Sequence, residues 1–131
     1  MRIKSFRLYE SKGKLPIKTI EFNGFQIIYG KSAEANEEVT FNLSDPNDIW
    51  LHTRGVPGSH VIIKVKDIEP TDDVIKYAAI LAVNNSKSQL NTQPVIWTRA
   101  KFVSKERGMN VGQVKVENGT LLEINKSKIG N

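Results

Sequence analysis

The run Asp48-Ile49-Trp50-Leu51-His52-Thr53, followed by Arg54-Gly55-Val56-Pro57-Gly58 and then Ser59-His60-Val61-Ile62-Ile63-Lys64, constrains the fold more than any other part of the chain. Successive side chains of a strand point to opposite faces, so Asp48, Trp50 and His52 share one face while Ile49, Leu51 and Thr53 share the other. Gly and Pro between two such runs mark a turn. The stretch predicts a strand, a turn and a second strand. One face is apolar; the other carries a carboxylate, an indole and an imidazole, a richer set than packing alone requires.

The rest of the chain supplies further strands and one long helix. Arg2 to Glu10 alternates like a strand, and Ile17–Phe22 with Gly24–Tyr29 reads as a hairpin turned at Asn23-Gly24, a dipeptide suited to positive φ at both turn positions. Ser32 is placed to cap a short helix over residues 33–38. Val39 to Leu43 fits helix or strand, and Ser44-Asp45-Pro46-Asn47 has turn chemistry. Asp72 to about Lys87 reads as the long helix, with Thr71 as N-cap and two aspartates in its first turn. Val74, Ala78, Leu81 and Ala82 form its apolar stripe. Pro94–Thr98 and Lys101–Val103 read as strands, Gly108–Gly112 as a loop, and Gln113–Glu117 with Thr120–Asn125 as a hairpin turned at Asn118-Gly119. Residues 126–131 are expected to fray. The class is α+β, with a largely antiparallel sheet, one long packed helix and one or two short ones.

A length of 131 residues fits a single domain with its own core. The absence of Cys excludes disulfides, thiolate metal sites and Cys nucleophiles. No apolar run approaches the roughly 18 to 20 residues of a membrane helix, and the amino terminus lacks a signal-peptide core, so a soluble cytoplasmic protein is expected. The net charge of +5 is unevenly spread. Residues 1–30 carry six basic and two acidic groups, residues 31–90 six and nine, and residues 91–131 seven and three. Basic ends favour polyanions such as RNA, DNA or lipid headgroups.

Enzymatic readings fare less well. Gly30-Lys31-Ser32 resembles the end of a phosphate-binding loop, but the glycine that loop needs five positions earlier is Phe25, within an apparent strand. Lys31 near a helix start still suits an anion. His52, His60 and Asp48 offer metal donors at a spacing that fits no zinc signature, and Ser59 lacks the nucleophile-elbow context. A small metal-dependent or hydrolytic enzyme is the weakest alternative; a protein-interaction module using the acidic middle is stronger. Trp50 divides the binding readings, since a strand Trp either packs a core or stacks a base. Arg54 and Lys64 beside it, and the run Arg99, Lys101, Lys105 and Arg107, favour phosphate contact.

Asp48-Ile49-Trp50-Leu51-His52 followed by Pro57-Gly58-Ser59-His60-Val61 closely resembles the signature of the NFACT-R family, the RNA-binding domain of RqcH- and NEMF-type proteins. Gly24 through Lys31, the Asn36-Glu37 pair, Glu69-Pro70, the helix from Ala78-Ala79 to Ser86-Lys87, and Lys101-Phe102-Val103 with Gly108 and Gly112 fall in the family's order. The resemblance spans roughly Phe22 to Glu123. Ser32 departs from it, standing where relatives often have Asn, as does Ile96-Trp97, where Tyr is usual.

The resemblance implies a noncatalytic module that binds structured RNA of the translation machinery, rRNA of the large ribosomal subunit or tRNA, in ribosome-associated quality control. It implies no cofactor, no metal and no membrane, while DNA is an expected competitor. In this reading Trp50 stacks a base or shapes the surface, and His52, Ser59 and His60 make polar contacts. Lys31, Arg54, Lys64, Lys87, Arg99 and Lys101 meet phosphates, and Asp48 orients His52 or Arg54. The chain is read as that domain alone.

Overall fold

The computed structural model describes residues 14–126. The strand expected over residues 2–10 and the fraying expected over 127–131 lie outside them, whereas Lys126, also expected to fray, donates from its amide to Asn91 O at 2.7 Å and from Nζ to Ser88 O at 2.8 Å. Six strands form one antiparallel sheet in the order β1-β2-β4-β3-β5-β8, where β1 is Ile17–Phe22, β2 Phe25–Gly30, β3 Ile49–Thr53, β4 Val61–Ile63, β5 Thr92–Arg99 and β8 Thr120–Asn125. A separate pair, β6 (Val103–Ser104) and β7 (Lys115–Val116), makes a small second sheet. Among the described residues no helix is long and apolar enough to cross a membrane.

Local chemistry explains most elements. Asn23 and Gly24 both take positive φ, 51° and 83°, which closes the β1–β2 hairpin with the twist its strands need. Ser32 accepts a hydrogen bond from the Ala35 amide at 3.1 Å and starts α1 (Ala33–Glu37). The ambiguous segment after it is neither strand nor ordinary helix. It continues α1 as a π-helical turn, Glu38–Asn42, closed by Leu43 N donating to Glu38 O at 2.9 Å.

The long helix, α2 (Asp72–Asn84), ends three residues before the expected Lys87. Asn85 Nδ2 donates to Leu81 O at 2.9 Å and Ser86 Oγ to Val83 O at 2.7 Å, so side chains satisfy the last carbonyls and the chain turns away. Thr71 occupies the N-cap position without a side-chain cap; its carbonyl accepts from Val74 and Ile75 instead. Two other expectations need correction. Ala100–Phe102 is a 3₁₀ turn rather than strand, with Val103 alone of the expected segment entering β6. The hairpin expected across Asn118-Gly119 does not form: β7 pairs with β6, and β8 pairs with β5. Asn118 does take positive φ, but the turn passes the chain between sheets.

Two cores result, one on each face of the sheet. Beneath α2, Ile27, Ile49, Leu51, Val61, Ile63 and Val95 meet Val74, Ala78, Ala79, Ala82 and Val83, the alanines allowing close approach. On the opposite face Ile28, Val39, Trp50, Ile62 and Val103 are buried together, with Val114 and Val116 packed against them. Both faces of β3 are therefore covered. Fully burying each large aliphatic side chain stabilises by about 1.5–3 kcal/mol.

Candidate functional site

The second core sets the site. Trp50 is 1 % exposed, so its indole is a core residue and offers no free face on which a base could stack. Its Nε1 donates to Thr40 Oγ1 at 3.0 Å, and the same oxygen lies 2.7 Å from His60 Nδ1. An indole N–H only donates, so the Thr40 oxygen is its acceptor, and the same hydroxyl is hydrogen-bonded to His60. A hydrogen bond to the Gly112 backbone also acts on the His60 imidazole. The His60 ring is 5.1 Å from the Trp50 ring and 4.9 Å from that of His52, edge to face in both cases.

Burial is the main cause that holds the His60 imidazole down at about 3, followed by the charges of His52 and Lys105; the Gly112 hydrogen bond opposes them. His52, only half-buried, is lowered by burial and partly restored by a hydrogen bond to the Gly58 backbone. Neutral histidines thus form one stacked and edge-on cluster with Trp50.

The loop before β4 is held from α1. Asn36, itself buried, donates from Nδ2 to Gly58 O at 3.1 Å and accepts at Oδ1 from His60 N at 3.0 Å. Gly30 makes room for this: a Cβ there would lie 2.6 Å from Asn36 Oδ1 and 2.7 Å from the Ala35 carbonyl carbon. On the other side, Ser59 N donates to Asn85 O at 3.1 Å and Lys87 N to Pro57 O at 3.0 Å. The early end of α2 is what brings Lys87 beside this loop. Lys105 fastens a third segment, with Nζ 3.1 Å from Glu37 Oε1 and bonded to the Asn110 and Gln113 carbonyls.

These segments surround an open cleft of about 950 Å³. Of the predicted site residues, Lys31, Trp50, His52, Arg54, Ser59, His60 and Lys87 line it. Trp50, Ser59 and His60 do so from buried positions, while Lys31, Arg54 and Lys87 are exposed. Among the described residues no carboxylate lines the cleft.

The remaining predicted residues gather at the opposite end of β3, roughly 20 Å away at about 3.3 Å per residue from Asp48 to Arg54. Asp48 is fully buried and orients neither His52 nor Arg54. Its carboxylate accepts from Lys64 Nζ at 2.6 Å, Asp45 N at 2.7 Å and Val65 N at 2.8 Å. Lys64 also bonds Asp45 Oδ2 and the Leu43 carbonyl, so it is a structural cation. Arg99 is engaged by Glu69 at 2.6 Å and by the Asn47 carbonyl at 2.8 Å. Lys101 is exposed at this same end, its amide bonded to Pro46 O. The metal-dependent reading loses its ligand set, because Asp48 is remote from the two histidines. Among the described residues no three of His, Asp and Glu converge to hold a metal.

Three residues central to the site were not candidates. Thr40 sat in a segment with no clear period. Gly30 and Asn36 stood in the motif that carried the family resemblance, but nothing local in the sequence tied them to His60.

Residues 16–118 match the family model described as NFACT protein RNA binding domain. The chain is 38% identical over 93 residues to the Rqc2 homolog RqcH of Bacillus subtilis (strain 168), covering 70% of this chain and 16% of that protein. It is 33% identical over 99 residues to the Rqc2 homolog RqcH of Streptococcus suis (strain 05ZYH33), covering 75% and 18%. The chain thus spans less than a fifth of these curated relatives. A solved structure, the C-terminal part of the fibronectin/fibrinogen-binding protein from Streptococcus suis, superposes with a TM-score of 0.77 at 31% identity, covering 86% of this chain and 45% of that one. With its signature loop lodged between α1 and α2 and its matched region spanning nearly all the described sheet, the chain belongs to the NFACT protein RNA-binding-domain family.

Proposed function

We propose that this chain binds RNA noncatalytically through the cleft between α1, the loop before β4 and the end of α2, in ribosome-associated quality control. The observation that carries the reading is the cleft's charge: Lys31, Arg54 and Lys87 border it and no carboxylate lines it. Cations held on separate segments suit a phosphate backbone, and they position rather than specify. The family description and the RqcH relatives support RNA as the partner class; within that class the proposed targets are large-subunit rRNA or tRNA, with the large ribosomal subunit as a partner. DNA competes to the extent that the 2′-hydroxyl goes unread.

The test is recovery of the untagged protein from lysate at low and moderate salt, with and without RNase, followed by sequencing of the retained RNA. Enrichment of large-subunit rRNA or tRNA that disappears with RNase is the expected result. Protein partners that persist after RNase, with no RNA enriched, would replace this reading with a protein-docking one. If all three cations meet phosphates, log affinity falls against log salt with a slope of roughly 2 to 3.

A further inference from the structure

The shape and lining of the cleft carry the RNA reading one step further. A volume of about 950 Å³ lies within the scale of small-ligand pockets, roughly 300–1,000 Å³. Its lining divides by chemistry. β5 contributes Ile96, and the segment from 111 to 116 contributes Val111, Val114 and Val116 with Gly112 and Gln113 between them. The contributions of the loops at residues 30–32, 53–60 and 85–87 are small or polar apart from Val56 and Pro57, with the three cations among them. His52 adds a half-buried ring whose lowered pKa leaves it flat and uncharged at neutral pH. An apolar wall, a neutral aromatic ring and a cationic border free of carboxylates match a ligand that is a planar base at one end and an anion at the other.

We propose that the cleft admits a single unstacked nucleotide of the bound RNA, its base against His52 and the valine wall and its flanking phosphates at Lys31, Arg54 and Lys87. This rests on the RNA-binding reading above and specifies what that reading leaves open. Paired bases in an A-form helix hide their faces, whereas bulged or looped nucleotides can be splayed into a pocket. The cations fix the backbone, and the pocket selects for local unpairing.

The experiment compares two blunt RNA duplexes by fluorescence anisotropy, one fully paired and one with a single bulged adenosine, using the intact chain at low salt. The bulged duplex is expected to bind about tenfold or more tightly, the scale of one base contact. Two filling variants, Val111→Trp and Val56→Trp, test the location; each is checked for an unchanged melting temperature and is expected to lower bulged-duplex affinity towards that of the paired duplex. Equal affinity for the two duplexes would overturn insertion while RNA binding stood. Binding to neither would overturn both readings. A bulge preference that survived both tryptophans would place the nucleotide elsewhere and overturn the assignment.

Discussion

The hydroxyl of Thr40 is shared between Trp50, which donates to it at 3.0 Å, and His60, whose Nδ1 lies 2.7 Å away. A single oxygen on a π-helical turn thereby satisfies two buried rings that come from different strands and loops. Thr40→Val keeps the shape and removes both partners. Each buried polar group left unsatisfied costs about 1–3 kcal/mol. The expected loss is about 2–4 kcal/mol by urea denaturation, and Thr40→Ser, which retains the hydroxyl, should recover most of it.

Trp50 is buried, so its substitution is read in folding rather than in binding. Trp50→Ala should cost about 3–5 kcal/mol, the scale of an aromatic lost from a core. A folded Trp50→Ala protein with an unchanged melting temperature and selectively weakened RNA binding would contradict its place in the second core.

The cations divide into two kinds with different signatures. Lys31→Ala, Arg54→Ala and Lys87→Ala should each reduce the salt slope of RNA binding by about 0.7 to 0.9 while leaving the melting temperature nearly unchanged. Lys64→Ala should do the reverse. It leaves Asp48, fully buried, without its cation, and breaking one half of a buried pair costs about 3–5 kcal/mol. Calorimetry beside a salt titration separates the two behaviours.

The histidines predict an acid-sensitive fold. The folded pKa of His60 is about 3 and that of His52 is also lowered, so the unfolded chain, with imidazoles near the ordinary 6.5, binds more protons than the folded one below that value. Stability from these groups is complete above pH 6.5 and is lost as pH falls towards about 3. One such histidine contributes a slope of about 1.4 kcal/mol per pH unit. Denaturation midpoints between pH 6.5 and 5, above the range where most carboxylates titrate, should fall with pH, and His60→Gln should flatten the dependence.

Gly30 is required by space rather than by φ, since a Cβ would collide with Asn36 and the α1 backbone. Gly30→Ala should destabilise by about 1–3 kcal/mol through overpacking. Because Asn36 holds both Gly58 and His60, the signature loop should also lose protection in amide exchange. An alanine variant as stable and as protected as the parent would remove this role from Gly30.

How much was legible in the sequence follows from how local each cause is. The turn at Asn23-Gly24, the Ser32 cap and the alternation of β3 are decided within a few residues, and all three appear where the sequence places them. Asn118 shows the limit of that reasoning. It adopts the expected left-handed conformation, yet the strands on either side pair with β6 and β5 rather than with each other. Backbone geometry at a turn permits a hairpin without requiring one, because pairing is settled by which apolar faces find cover. The end of α2 shows a further limit: Asn85 and Ser86 cap its last carbonyls, and beyond them the chain bridges to Gly58 of the signature loop rather than continuing the helix to Lys87.

By itself the sequence determined the class, the strands around the signature, the start of both helices and the family motif, since these rest on side-chain alternation, capping and turn dihedrals. Only the tertiary structure decided the roles along that motif. Asp48, Trp50 and His52 alternate onto one face as expected, but whether that face meets solvent depends on how α1, its π turn and the β6–β7 pair pack over it. Their packing buries Trp50 and leaves His52 at the edge of the cleft. Likewise, Lys64 and Lys87 are both lysines beside apolar segments. One is neutralised by a buried carboxylate and the other faces an acid-free cleft, because Coulomb attraction and desolvation act between groups that only the fold brings together.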